Sequence, residues 1–276
     1  MAGPARPTHQ TYDAVVIGAG FGGLGAALRL TELGARVLLC ETLPYPGGCA
    51  STFTRFGHAF ASGATLFAGF GEGQFFRRTI DRYGLDVQTE ALDPVVEFRM
   101  PGLDLPVPAS RRGLLAQLRE LPGASRRGLE AFFRTQGAVA DGLWQLLDDP
   151  RLLPPFGAGA LFRHAANLPG YLRAARWAGR PVLEVLTRHG LHRPGPVRSF
   201  FDALCQVTVQ AGVEEAEAPF ALAVMDYYFR GAAHVRGGIG KLAWGLVDAI
   251  RGNGGEVVFA NRVEAVDRLV DGFCVR

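Results

Sequence analysis

Hydrophobic and polar positions along this chain fall into three successive patterns. Within residues 12–17, Val15, Val16 and Ile17 form a short β-branched run bounded by Gly18, which reads as a buried strand. Leu24, Ala27, Leu28 and Leu33 then recur at helical spacing. That pattern stops at Gly34, a residue that closes helices because it takes up left-handed backbone without strain. Residues 35–40 are mostly apolar again and read as a second buried strand. Strand, helix and strand in this order are the βαβ unit of a parallel sheet, so the chain opens as an α/β protein.

The second pattern begins beyond Glu41. Pro44, Pro46, Gly47 and Gly48 make a turn-rich loop, and residues 49–55 and 56–60 read as a hairpin turning near Gly57. Residues 62–65 form a small-residue loop that lets backbone approach a ligand. A helix is expected over 74–83, and two strands over 95–100 and 103–107 around Pro101 and Gly102. From about 111 to 229 the periodicity is mainly helical. Leu114, Leu115 and Leu118 share one face; Leu129, Phe132, Phe133, Ala140, Leu143, Trp144 and Leu147 share another, ended by Asp148, Asp149 and Pro150. Pro154-Pro155 and Pro169-Gly170 are expected as further breaks. After Ala233 the opening pattern returns. Gly237 and Gly238 lead into a helix through Leu242, Leu246, Val247 and Ile250, followed by strands over 256–259 and 262–270.

Composition narrows the class. A length of 276 residues fits one large domain or two, and 48% hydrophobic residues exclude a disordered chain. The net charge of +3 supplies no global basic field for nucleic acid. Cys40, Cys49, Cys205 and Cys274 include no Cys-x-x-Cys pair, so neither a disulfide framework nor a zinc site is indicated and a reducing compartment is expected. Residues 1–11 lack the apolar segment of a signal peptide and read as a flexible tail. The uncharged run 14–28 is too short and too rich in glycine to span a bilayer.

The candidate chemistry lies at the first strand-helix junction, where Gly-x-Gly-x-x-Gly occurs in two overlapping registers. The register Gly18, Gly20, Gly23 places the first glycine directly after the strand and is preferred to Gly20, Gly22, Gly25. Gly18 then makes the tight turn, Gly20 lets backbone N–H groups approach a pyrophosphate, and Gly23 lets the helix pack on the strand. Glu41 lies close to the offset of about twenty residues at which an acidic side chain accepts hydrogen bonds from ribose hydroxyls. Gly240-Lys241 is no phosphate loop, since Val235 and Leu242 stand where that motif needs glycine and Ser or Thr. His189 and His192 lack a carboxylate partner and read as surface residues; no metal site is expected. His58 and His234 fall near the candidate cofactor region but read as structural. Asp226, Tyr227 and Tyr228 fit either a cavity lining or an aromatic core. Residues 162–191 mix Phe162, Tyr171, Leu172 and Trp177 with Arg163, Arg173, Arg176 and Arg180, a pattern open to two readings: a helix at a membrane interface, or an amphipathic helix packed on the domain.

Taken together, Gly18-x-Gly20-x-x-Gly23, Glu41, Tyr45-Pro46-Gly47-Gly48-Cys49-Ala50-Ser51-Thr52-Phe53, Phe60-x-x-Gly63-Ala64-Thr65, Gly237-Gly238 and Arg262-Val263 resemble the phytoene desaturase family. This is the carotenoid branch of the FAD-dependent amine-oxidase-like oxidoreductases. The motifs are most like those of carotenoid 3′,4′-desaturases, and they are specific mainly in the first seventy or so residues and from about 234 onward. The resemblance implies a Rossmann-like FAD-binding domain over residues 12–85 and 234–276, interrupted by a mainly helical substrate and membrane-facing insert over 86–233. It implies that Gly18, Gly20 and Gly23 hold the FAD pyrophosphate and Glu41 the adenosine ribose. Gly47 and Gly48 would pass close to the cofactor, with Ser51 and Thr52 as polar contacts. Gly63 and Ala64 would lie towards the flavin, and Val263, on the late strand, would meet the adenine. Cys49 stands where many relatives have arginine.

The implied activity is desaturation of a carotenoid or similar polyene lipid by hydride transfer to flavin, in an apolar tunnel and without an assigned catalytic residue. Carotenoid isomerisation or oxygenation is the alternative. A flavin amine oxidase would need an aromatic cage that is not visible, and NAD alone suits the Gly47-Gly48 pattern less well. Family members are longer, so the chain is expected to be truncated, its C-terminal half supplied by another chain or lost. In the latter case a non-catalytic nucleotide-binding remnant would be left. The expected location is the cytoplasm, peripheral on the cytoplasmic face of a membrane, with no nucleic-acid partner.

Overall fold

The computed structural model describes residues 11–64, 66–101, 103–154, 156, 157 and 159–276. Expectations that fall on residues 1–10, Thr65, Gly102, Pro155 and the Leu147 side chain lie outside the described residues. In chain order the elements are β1 (Ala14–Ile17), α1 (Phe21–Glu32), β2 (Val37–Cys40), β3 (Thr52–Arg55), β4 (His58–Ala61), α2 (Phe75–Tyr83), β5 (Thr89–Ala91), β6 (Val96–Met100) and β7 (Leu103–Val107). There follow α3 (Arg111–Leu118), α4 (Arg126–Asp148), α5 (Ala160–Ala175), α6 (Val182–Arg188), α7 (Pro196–Val209), α8 (Ala218–Met225), β8 (Ala233–Val235), α9 (Gly240–Gly252), β9 (Glu256–Val258), β10 (Val266–Leu269) and β11 (Gly272–Val275). The chain divides into two compact units, one of residues 1–67, 78–90 and 234–276, the other of residues 68–77 and 91–233.

The first unit is built on a parallel sheet of order β1-β2-β9, with Val15 beside Leu38 and Leu39 beside Val257. Parallel strands need crossover helices, and α1 and α9 supply them. Leu24, Ala27 and Leu28 of α1 pack with Leu246, Val247 and Ile250 of α9 against Val37, Leu39 and Val257 of the sheet. Gly34, at a φ of 83°, follows the Leu33 cap of α1 and donates its N–H to Thr31 O at 3.0 Å, closing the helix as its sequence position leads one to expect. The β3-β4 hairpin turns at Phe56 and Gly57, but Gly48–Ala50 form a short helical turn, so the strand begins at Thr52 and not at Cys49.

The second unit is helical apart from the β6-β7 hairpin. Its centre is aromatic: Phe132 and Phe201 lie 4.5 Å apart between ring centroids, and Phe200 meets Phe98 edge-on at 5.5 Å. Into this core reaches the fully buried Asp226, whose carboxylate accepts hydrogen bonds from Arg111, from Arg230 Nε at 2.6 Å and from Gln136 Nε2 at 3.2 Å. Pro169 and Gly170 do not break the chain as expected; both lie inside α5. A Cβ added at Gly170 would sit 2.9 Å from the Gly142 Cα of α4, so the two glycines let the helices meet backbone to backbone. That packing offsets the hydrogen bond that proline cannot donate.

Candidate dinucleotide-binding site

The junction of β1 and α1 has the geometry that its glycines imply. Gly18 has a φ of 97°, which only glycine adopts freely, and donates its N–H to Cys40 O at 2.7 Å. A Cβ added at Gly23 would lie 1.9 Å from Gly18 O, whereas one at Gly25 would meet nothing within 4 Å. The contact that demands glycine is therefore made in the register Gly18, Gly20, Gly23. Gly20 caps α1 in extended conformation with no side chain over it, and the first helical turn carries no acidic residue. The positive end of the α1 dipole is thus uncompensated by a side chain, an arrangement that favours an anionic group.

A second glycine loop crosses this turn. Gly47 and Gly48 have φ values of 112° and 58°, Gly47 donates its N–H to Ala19 O at 2.8 Å, and Gly20 and Gly47 form an isolated parallel bridge. A Cβ on Gly48 would come within 3.3 Å of Gly20 Cα. Glu41 ties both loops to the sheet. Its buried carboxylate accepts the Ala19 N–H at 2.6 Å through Oε2 and the Leu43 N–H at 2.8 Å through Oε1. A carboxylate offers about four acceptor sites, so capacity remains for a ribose hydroxyl. Sequence spacing brings out the ribose role only; the role as organiser of the turn is visible only in three dimensions.

The remaining candidates are placed as follows. Ser51 is buried and its hydroxyl pairs with Ser62 Oγ at 2.8 Å; Thr52 Oγ1 accepts the Gly240 N–H at 2.9 Å. Both hydroxyls fasten loop to loop, and Thr52 packs where a side chain on Gly238 would have to go. Gly63 is required by closeness to Cys49 O, 2.6 Å from its would-be Cβ, and Ala64 donates its N–H to the same oxygen at 3.2 Å. Cys49 is exposed. Val263 does not lie on a strand: residues 261–265 are irregular, and the expected strand over 262–270 is instead the hairpin β10-β11, turning at Val270 and Asp271. Ala260 and Asn261 explain the change. Ala260, at a φ of 53°, donates its N–H to Leu43 O at 3.1 Å, and Asn261 donates to Glu41 O at 2.9 Å, so the chain is drawn into the Glu41 loop before pairing can start.

In the helical unit, Tyr228 joins Phe132, Phe133, Phe201 and Leu204 around a space of about 10 Å³, too small for more than a single water, so these aromatics are core. His189 is half-buried, not a free surface residue; its Nε2 lies 3.1 Å from Thr135 Oγ1, and burial lowers its pKa. His58 and His234 are exposed. Among the described residues no cluster of His, Cys, Asp or Glu could hold a metal ion, and no helix is long and apolar enough to cross a membrane.

Comparison with known proteins agrees with this geometry. Residues 16–83 match the NAD(P)-binding Rossmann-like domain family. Prolycopene isomerase 1 of an Oncidium hybrid cultivar is 27% identical over 96% of this chain and 45% of its own length. The neurosporene-forming phytoene desaturase of Cereibacter sphaeroides is 31% identical over 58% of the chain and 34% of its own length. The chain thus spans less than half the length of these relatives. Among solved structures, an oxidoreductase from Methanosarcina mazei shares the fold, with a TM-score of 0.59 and 18% identity over 93% of this chain and 53% of its own.

Proposed function

We propose that this chain, which is similar to carotenoid isomerases and desaturases, binds FAD and acts on a carotenoid or similar polyene lipid as an oxidoreductase. One observation carries the reading: two glycine loops cross at Gly20 and Gly47 directly beside the Glu41 carboxylate. Gly18, Gly20 and Gly23 would hold the pyrophosphate, and Glu41 the adenosine ribose, with Gly47 and Gly48 alongside. Bound flavin supplies a two-electron acceptor. The residues of the chain would position it and would hold its phosphates against backbone N–H groups rather than water. Desaturation is the favoured reaction, and isomerisation is kept as the second reading because the Oncidium isomerase matches nearly the whole chain.

Two features support wider aspects of the reading. In the sheet order β1-β2-β9, β1 is an open edge among the described residues and its Ile17 is 55% exposed, which favours a further segment, on this polypeptide or a second, lying along β1. On α5, Leu161, Phe162, Leu168 and Leu172 are exposed apolar residues close in sequence to Arg163, Arg173 and Arg176, which favours peripheral contact with a lipid surface from which a polyene is drawn.

The test is to supply the purified flavin-loaded protein with a partly saturated carotenoid and, separately, with a cis-carotenoid. New absorption at longer wavelength marks desaturation, because conjugation lengthens. A change of geometric isomer at constant conjugation marks isomerisation. No change in either substrate, with the flavin bound, counts against the proposal.

A further inference from the structure

Between α4, α5 and α6 the helical unit has an open cleft of about 390 Å³, lined by Arg134, Thr135, Arg173, Arg176, Trp177 and His189. We propose that this cleft is a binding site for a phosphate group. The site belongs to the helical unit alone and does not depend on the flavin reading.

The charge distribution carries the argument. Several arginines elsewhere in the unit meet carboxylates: Arg111 and Arg230 meet Asp226 and Asp141, Arg119 meets Glu130, and Arg198 meets Glu214. Arg134, Arg173 and Arg176 have no carboxylate partner among the described residues, and no acidic residue lines the cleft. Arg188 adds a fourth guanidinium: it and Arg176 lie 5.8 and 5.5 Å from the ring centre of the same indole, Trp177. Three exposed arginines around one hollow gather positive charge that an anion among them would neutralise, and guanidinium forks match phosphate oxygens in pairs. The hollow has a built floor. Trp177 and Val139 are buried beneath it, and Thr135 donates to Ala131 O at 3.1 Å, which leaves its oxygen to receive the His189 N–H. Burial, with the guanidiniums of Arg188, Arg134 and Arg176, also disfavours a charge on His189.

Position strengthens the case. Phe162 and Arg173 are eleven residues apart on α5, and three helical turns bring them back to nearly the same stripe, so one stripe of the helix carries an exposed aromatic ring and a cleft arginine. A phosphate there can come from a lipid headgroup or from a soluble phosphate ester.

The experiment compares both sources. The wild-type chain, the triple variant Arg134→Gln/Arg173→Gln/Arg176→Gln and a charge-matched control, Arg112→Gln/Arg127→Gln/Arg193→Gln, are sedimented with phosphatidylcholine vesicles with and without phosphatidic acid. They are also titrated with inorganic phosphate and with glycerol 3-phosphate. Binding that needs phosphatidic acid and falls about tenfold or more in the cleft variant but not in the control identifies a lipid phosphate. Binding of the soluble phosphates with the same variant pattern and no vesicle preference identifies a free one. As a measurement on unaltered protein, phosphate should slow phenylglyoxal modification of Arg134, Arg173 and Arg176 relative to Arg112. The proposal is overturned by wild-type protein that binds neither source, by equal loss in both variants, or by an absence of protection.

Discussion

The Glu41 carboxylate accepts the backbone N–H of Ala19 at 2.6 Å, joining the end of β2 to the middle of the glycine turn. The second oxygen takes the Leu43 N–H at 2.8 Å, so one buried side chain fixes both the turn and the loop that follows the strand. The residue expected to hold a ribose is also the residue that shapes the pyrophosphate turn.

Glu41→Ala leaves two N–H donors without their acceptor. An orphaned buried donor costs about 1–3 kcal/mol, so stability to urea should fall by about 2–3 kcal/mol, and Glu41→Gln should lose less. Urea denaturation of the three proteins checks the order.

The two glycine registers are separable by alanine. Gly23→Ala drives a methyl group into Gly18 O and should cost about 3 kcal/mol by overpacking. Gly25→Ala meets open space and should be neutral or stabilising by up to about 1 kcal/mol through helix propensity. Equal effects in thermal denaturation would contradict the assigned register.

In the helical unit, Asp226→Ala should cost about 3–5 kcal/mol, because a fully buried carboxylate is removed from Arg111 and Arg230. Asp141, more than half exposed, matters less but titrates. Burial works against its charge, yet hydrogen bonds and charges from Arg111 and Arg230 prevail and hold its carboxyl below the ordinary value. The contribution of a group depressed in the folded state is complete above its unfolded value, about 3.9, and is lost as pH falls through the folded one. Asp141→Asn should therefore flatten the stability curve below about pH 4, as followed by acid denaturation.

Cysteine reactivity should divide sharply. Burial, reinforced by Asp202, pushes the Cys205 thiol up to about 12, whereas Cys49 is exposed. Iodoacetamide at neutral pH should label Cys49 in native protein and Cys205 only after denaturant is added, as read by peptide mass spectrometry.

What the sequence made legible follows from the range of the interactions. The β1-α1-β2 unit, the β3-β4 hairpin and the helical middle are set by local periodicity, and Gly18, Gly23 and Gly34 by local backbone geometry, so each could be read directly. The Asp226 network could not be read, since Arg111 lies 115 residues away in sequence. Nor could the helical fate of Pro169, which depends on Gly142 of another helix. The hairpin β10-β11 did leave a signal, Asp271-Gly272, which marks a tight turn directly after the expected strand over 262–270. Val263 lies on no strand because the bonds from Ala260 and Asn261 draw the chain back to the Glu41 loop, and those bonds have no local signature.

The most direct test of the dinucleotide cradle is a fluorescence titration of the folded protein with FAD, with NAD and ADP as comparators, in wild type, Gly23→Ala, Gly25→Ala and Glu41→Ala. The account requires saturable binding of FAD, weaker binding of NAD, retention in Gly25→Ala and a loss of about tenfold or more in Gly23→Ala and Glu41→Ala. Folded wild-type protein that binds neither FAD nor ADP, or a Glu41→Ala variant that binds FAD as wild type does, would contradict it.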